Sequence, residues 1–176
     1  EYVLNGIQNR NRVEDITTFK IPEPRFECYR SMFLFNVNFK NYVEKTGSTK
    51  NYLGEHISDA LIFDFDGAEL EAVKKEAVTF IWGLYYNFGV PVAYLRIAFS
   101  GSKGFHVILP FEAVTNHLKP SPDFFESYKK LAEKLSEDFK NDKGIYNINR
   151  IFRISNTIHQ KSGLYKIPLT FAELQQ

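Results

Sequence analysis

The chain has 176 residues, 44% hydrophobic and 24% charged, with a net charge of +1, the balance of an ordinary globular domain. No apolar run approaches the roughly 18 residues that a membrane span needs, and a leader with a charged start, an apolar middle and a small-residue cleavage site is absent from the sequence. Cys28 is the one cysteine, which excludes an internal disulfide and cysteine-based zinc clusters and leads us to expect a reducing, intracellular setting.

Residues 1–25 are polar and mixed, and end at the breaker Pro22-Glu23-Pro24. The first residue is Glu1, so the chain reads as a domain of a longer protein. Residues 31–38 predict a strand, and 39–59 are ambiguous around a loop signal at Gly47-Ser48-Thr49. The apolar run from Ala60 to Phe65 predicts a buried strand. Leu70, Val73, Ala77, Phe80, Ile81, Leu84 and Phe88 then recur at helical spacing, and the helix should stop at Gly89 ahead of Pro91. Strands are predicted at 92–99 and 105–110, joined by a glycine-rich turn. Ser121-Pro122 reads as an N-cap with proline in the first turn. Phe124, Tyr128, Leu131, Leu135 and Phe139 would line one face of the helix that follows. Extended segments are expected at 148–154 and 164–169. Strands and helices interleave, so the class is α/β or α+β with a mixed or antiparallel central sheet flanked by helices. Residues 1–59 would form an N-terminal segment and 60–176 the core that carries the chemistry.

Three blocks carry that chemistry. Asp64 and Asp66 alternate at the end of the predicted buried strand, so both face one side, roughly 7 Å apart along the backbone. Two carboxylates held together in a partly desolvated place repel. A hard divalent cation such as Mg²⁺ or Mn²⁺ relieves that repulsion. The plainer reading, solvated acids at a strand end, does not call for the flanking Leu61, Ile62, Phe63 and Phe65.

The second block is Ser100-Gly101-Ser102-Lys103-Gly104-Phe105-His106, a tight turn with amides, hydroxyls and a lysine available to phosphate. It is not a P-loop, because a strand rather than a helix follows. The third runs from Asp142 through Asn149, Arg150 and Arg153 to His159, Lys161 and Gly163. Arginine forks match phosphate oxygens, although each one alone reads equally well as a surface ion pair. After Asp142 the chain carries Lys143, Arg150, Arg153, Lys161 and Lys166 against the single acid Glu173, a basic tail that is otherwise a solvated face. The 16% aromatic content is read as core filling, with base stacking as the alternative for exposed rings.

Taken in order, the three blocks over about residues 60–169 resemble the archaeo-eukaryotic primase superfamily. That superfamily includes replicative primase small subunits, prokaryotic primase-polymerases and the polymerase domain of bacterial ligase D. Its Asp-x-Asp motif is matched by Asp64 and Asp66. Its Ser-Gly-x-Lys/Arg-Gly-x-His motif is matched by Ser100, Gly101, Lys103, Gly104 and His106. Its third motif is matched by Asp142, Asn149, Arg150, Arg153, His159, Lys161 and Gly163. Residues 1–59 match nothing in the family, and its frequent zinc module is not encoded here.

The resemblance implies a two-lobed α+β fold and a prokaryotic, cytoplasmic primase-polymerase, of the kind attached to CRISPR or plasmid systems. Asp64, Asp66 and Asp142 would hold two Mg²⁺ or Mn²⁺ ions about 4 Å apart. Ser100, Ser102, Lys103, His106, Arg150, Arg153, His159 and Lys161 would bind the nucleotide. The partners would be a DNA template and primer, an NTP or dNTP, and further domains or proteins. Two other readings stay open: a nucleotide-binding regulator without turnover, and a bare nucleic-acid-binding module.

Leu-Ile-Phe-Asp-Phe-Asp-Gly also resembles the nucleophile motif of haloacid-dehalogenase-type phosphatases. That family has Thr where this chain has Ala68 and needs a late acidic pair, whereas only Glu173 follows Asp142.

Overall fold

The computed structural model describes residues 2–4, 7–9, 12–15, 17–20, 27–115 and 117–176, the first two of these segments by backbone alone. The expected breaker at Pro22-Glu23-Pro24 lies outside them. The strands are β1 (Tyr2–Leu4), β2 (Ile7–Asn9), β3 (Glu27–Ser31), β4 (Leu34–Phe35), β5 (His56–Ile57), β6 (Ala60–Asp66), β7 (Arg96–Phe99), β8 (Gly104–Pro110), β9 (Ile151–Arg153) and β10 (Ile167–Leu169). The helices are α1 (Val37–Thr46), α2 (Leu70–Phe88), α3 (Phe124–Leu135) and α4 (Phe171–Gln175).

The chain is α+β. One sheet has the order β2-β1-β3-β9, a second β10-β7-β8-β6, and β4 pairs with β5. Every strand pairing among the described residues is antiparallel, so the mixed sheet admitted from sequence resolves to antiparallel ones. β3 and β9 pair across most of the chain length, and Met32 and Phe33 join the same core as β6 and α2.

β6 and β8 are buried on both faces, which explains their continuous apolar runs. Val73, Ala77, Phe80, Ile81 and Leu84 of α2 pack on this sheet, and Gly89 ends the helix in the left-handed conformation (φ 69°), as its spacing predicts.

β6 is an edge strand of its sheet, and groups from α3 and the loop after it bond to its outer edge. The Ile62 amide donates to the buried Tyr128 hydroxyl at 3.1 Å, and the Asp64 carbonyl accepts from the Asp142 amide at 2.8 Å. Covering an edge in this way satisfies backbone groups that would otherwise recruit another strand.

Several expectations need correction. The strand predicted at 31–38 is broken: only Ser31 and Leu34–Phe35 are strand, and α1 begins at Val37. The Asn36 side chain accepts from the Asn38 amide at 3.0 Å and caps that helix, which the apolar run before it concealed. β7 begins at Arg96, because Pro91 sets a short 3₁₀ turn over Val92–Tyr94. β9 and β10 are each three residues, shorter than the segments expected. α3 begins at Phe124, not at Ser121-Pro122, and Leu131 and Phe139 do not extend its buried face as predicted. Ala132 lies there instead, and Phe139 packs against the core from beyond the helix end.

The start of α3 is capped from a distance. Buried His56 accepts the Phe125 amide on Nε2 at 3.1 Å, so its Nδ1 carries the proton and donates to the Gly54 carbonyl, also at 3.1 Å. Its ring lies edge-on to Phe33 and Phe124. Substituting His56→Ala orphans a helix amide and opens a cavity. The expected loss is about 2–4 kcal/mol, to be read from urea unfolding.

Candidate active site

Antiparallel register brings the first two blocks together: Asp64 on β6 is opposite His106 on β8, and Asp66 is opposite Gly104. The His106 Nε2 lies 3.4 Å from the Asp64 carboxylate, with both side chains largely buried. Burial, more than any neighbouring charge, pushes the His106 pKa down, while Asp64 pulls it up. Its Nδ1 is buried without a hydrogen-bond partner among the described residues, and the ring sits edge-on to Phe152 at 4.9 Å. Asp66 is more exposed, and Lys103 reaches it at 3.8 Å. Exposed pairs of that length add little stability, and the Asp66 carboxylate also accepts from the Gly67 amide at 3.0 Å.

Gly104 is required where the two strands meet. A side chain there would run into the Phe65 carbonyl oxygen and the Asp66 Cα, so only glycine lets β8 approach β6 beside the carboxylates. Ser100 closes the turn, its amide donating to the Gly104 carbonyl at 2.8 Å and its Oγ accepting from the Gly104 amide at 3.2 Å. Gly101 adopts φ 83°, against the Lys166 amide and the Arg153 guanidinium.

The third block grips this turn from behind. Arg153 donates from Nη1 to the Ser100 carbonyl at 2.8 Å, its Nη2 lies 3.5 Å from Glu27 on β3, and its side chain is 12% exposed. Ser162 donates to the Gly101 carbonyl and meets the His159 Nδ1 at 2.9 Å. Burial and the Arg153 charge depress the His159 pKa. Tyr29 donates to Glu27 at 2.6 Å, and burial and that bond raise its pKa to about 12.

These contacts fix the carbonyls of the turn on one side. Ser102 is half-buried and Lys103 exposed on the turn itself. Arg150 and Lys161 are exposed.

Asp142 is brought to β6 by its backbone, through the bond to the Asp64 carbonyl. Its carboxylate accepts from the Gly144 amide at 2.8 Å and caps the short turn that follows. Asp64 and Asp66 offer oxygen donors on one strand, the chemistry a hard divalent ion takes, so the pair fits Mg²⁺ or Mn²⁺. Among the described residues, no three His, Cys, Asp or Glu side chains are drawn into a coordination shell.

Glu27, Ser162 and Lys166 are site neighbours that the sequence reading did not place there. Glu27 precedes the predicted elements and Ser162 lies in a loop. Lys166 reads as part of the basic tail, yet it is 3% exposed, with Nζ donating to the Arg153 carbonyl at 2.8 Å. Burial lowers its pKa from 10.5 to about 8. No local signal marks that lysine as interior; only the packing of 157–166 under β9 does so.

No family model matches this chain, and no curated protein or solved structure matches it either. No helix among the described residues is long and apolar enough to cross a membrane.

Proposed function

We propose that this chain is the catalytic core of a primase-polymerase, joining an NTP or dNTP to a 3′-hydroxyl on a nucleic-acid template. One observation carries the reading. The Asp64–His106 register pair sets the Asp-x-Asp strand beside the glycine turn, and Arg153 and Ser162 of the third block hold the turn's carbonyls. Three blocks separate in sequence thus lie together around the glycine turn and the end of β6, which supports the reading.

In this reading Asp64 and Asp66 hold Mg²⁺ or Mn²⁺, with Asp142 joining them if its carboxylate leaves Gly144. When bound, such ions lower the pKa of the attacking hydroxyl and neutralise the leaving pyrophosphate. The protein's own contribution is position and charge. Ser100, Ser102, Lys103 and His106 face the triphosphate, and the exposed Arg150 and Lys161 extend its positive rim. Arg153 and His159 act from behind, by keeping the turn in shape. A two-lobed arrangement closing over template and primer belongs to the same proposal, as do a cytoplasmic setting and further domains or partner proteins.

The test is incubation with a primed DNA template, an unprimed single strand, labelled dNTPs or NTPs, and Mn²⁺ or Mg²⁺. Metal-dependent product supports the assignment, and the unprimed lane separates priming from extension. Lys103→Ala is expected to raise the nucleotide KM about tenfold, the loss of one exposed charge-assisted contact, with a smaller change in kcat. An unchanged KM removes Lys103 from the nucleotide site.

A second reading, a nucleotide-binding regulator without turnover, draws support from Asp142, whose carboxylate is already engaged by Gly144. Nucleotide affinity with no product in any lane would favour it.

A further inference from the structure

Lys166 is a buried ammonium that forms no ion pair among the described residues, its hydrogen bond going to a neutral carbonyl. A buried charge without a paired counter-charge is costly, and a methionine or leucine would fill the same space without that cost. Its surroundings lie beneath the candidate active site. The Nζ is 5.8 Å from the Phe152 ring centroid; Phe152 packs against His106, and His106 faces Asp64. Among the described residues, the Asp64 charge favours the Lys166 ammonium, against the like charges of Arg153 and Arg30. The two stand in electrostatic reach without touching.

We propose that Lys166 is a resident cation beneath the Asp64–Asp66 pair that weakens the pair's hold on a divalent ion when no nucleotide is bound. This rests on the metal-binding reading given above. A fixed positive charge in electrostatic reach of Asp64 offsets part of its field, and it repels an arriving dication twice as strongly as it would a monovalent ion. The low-dielectric surroundings of Lys166 carry that repulsion further than water would. Lys166 is therefore a positioning residue for charge, acting on the site through Asp64.

The test is a titration of nucleotide-free protein with Mn²⁺ at pH 7, following the electron paramagnetic resonance signal of the free ion. Four proteins are compared: wild type, Lys166→Met, Lys166→Gln, and the Asp64→Asn, Asp66→Asn pair. Lys166→Gln keeps a donor for the Arg153 carbonyl while removing the charge, so it separates charge from scaffolding. Both Lys166 variants are expected to bind Mn²⁺ about tenfold more tightly than wild type, equivalent to about 1.4 kcal/mol, and the double Asn variant to lose that binding. Unchanged or weaker binding in both Lys166 variants, with wild type binding normally, overturns this inference alone. If neither wild type nor any variant binds Mn²⁺, the metal reading falls and takes this inference with it.

Discussion

Primer extension is expected to fall by at least about 10³-fold when Asp64 and Asp66 are both replaced by Asn, with the fold intact. Asparagine keeps the volume and an oxygen acceptor at each position, so the His106 Nε2 that lies 3.4 Å from Asp64 keeps a partner. Alanine would instead leave a largely buried imidazole facing nothing, and lost activity would then be confounded with lost stability. What the asparagines remove is charge, and with it the affinity for a hard cation. The check is a gel assay of product against time, run beside thermal melts in chelator. Full extension by the double variant would remove Asp64 and Asp66 from catalysis. A variant that has lost extension but melts with wild type locates the loss in the chemistry. Asp142→Asn alone is expected to do less, because its carboxylate accepts from the Gly144 amide and its link to β6 is made by its backbone.

The parts of this molecule legible in its sequence are those whose cause is local. β6 and β8 announce themselves as apolar runs because both faces are buried, and α2 because its apolar residues recur every three or four positions and Gly89 stops it. Asp64 and Asp66 were readable for the same reason, since alternation on a strand follows from the pleat. The misreadings have non-local causes. α3 takes its cap from His56, which is distant along the chain, so the local Ser121-Pro122 signal pointed to the wrong start. α1 was hidden because only Phe39 and Val43 of its ten residues are buried, too few to set a period.

The third block is a subtler case. From sequence its basic residues read as a set of phosphate ligands, which treats charge as exposure. The structure divides them: Arg150 and Lys161 face solvent, while Arg153 and His159 are drawn in against Glu27 and the glycine turn. An arginine that holds a carbonyl and a carboxylate has part of its fork engaged before any ligand arrives. Which arginine of a pair turns inward depends on the register of β9 against β3, where Arg153 is opposite Tyr29. Nothing within the block itself encodes that pairing.

Lys166 gives the second large expectation, a stability that rises with pH where most proteins are past their maximum. Its pKa is about 8 in the folded chain against 10.5 as the ordinary value. Between those limits the unfolded chain binds the extra proton, so stability increases as pH rises through that window. Below about 8 the ammonium is buried at full cost, about 3 kcal/mol for a shift of this size. Buried His106, whose pKa is also lowered, acts in the same sense but below its ordinary 6.5, outside this window. Tyr29, Tyr128 and Tyr146 act in the opposite sense. Burial raises their pKa values above the ordinary 10, so the stability they contribute is complete below pH 10 and declines above it. Burial also raises the Cys28 thiol above its ordinary 9, which opposes the rise above that pH, so the rise due to Lys166 is readable from pH 8 to about 9, in chelator to keep metal out of the measurement. Lys166→Met is expected to flatten that rise and to raise stability at pH 7 by about 1–2 kcal/mol, because relief of the buried charge exceeds the hydrogen bond lost to the Arg153 carbonyl. In a domain of this size that corresponds to about 3–6 °C in Tm. Urea melts of both proteins at pH 7, 8 and 9 decide it. A wild-type profile as flat as that of the variant would mean that Lys166 reaches water in solution and carries its charge at no cost, and the resident-cation role would then lose the low-dielectric surroundings on which it depends.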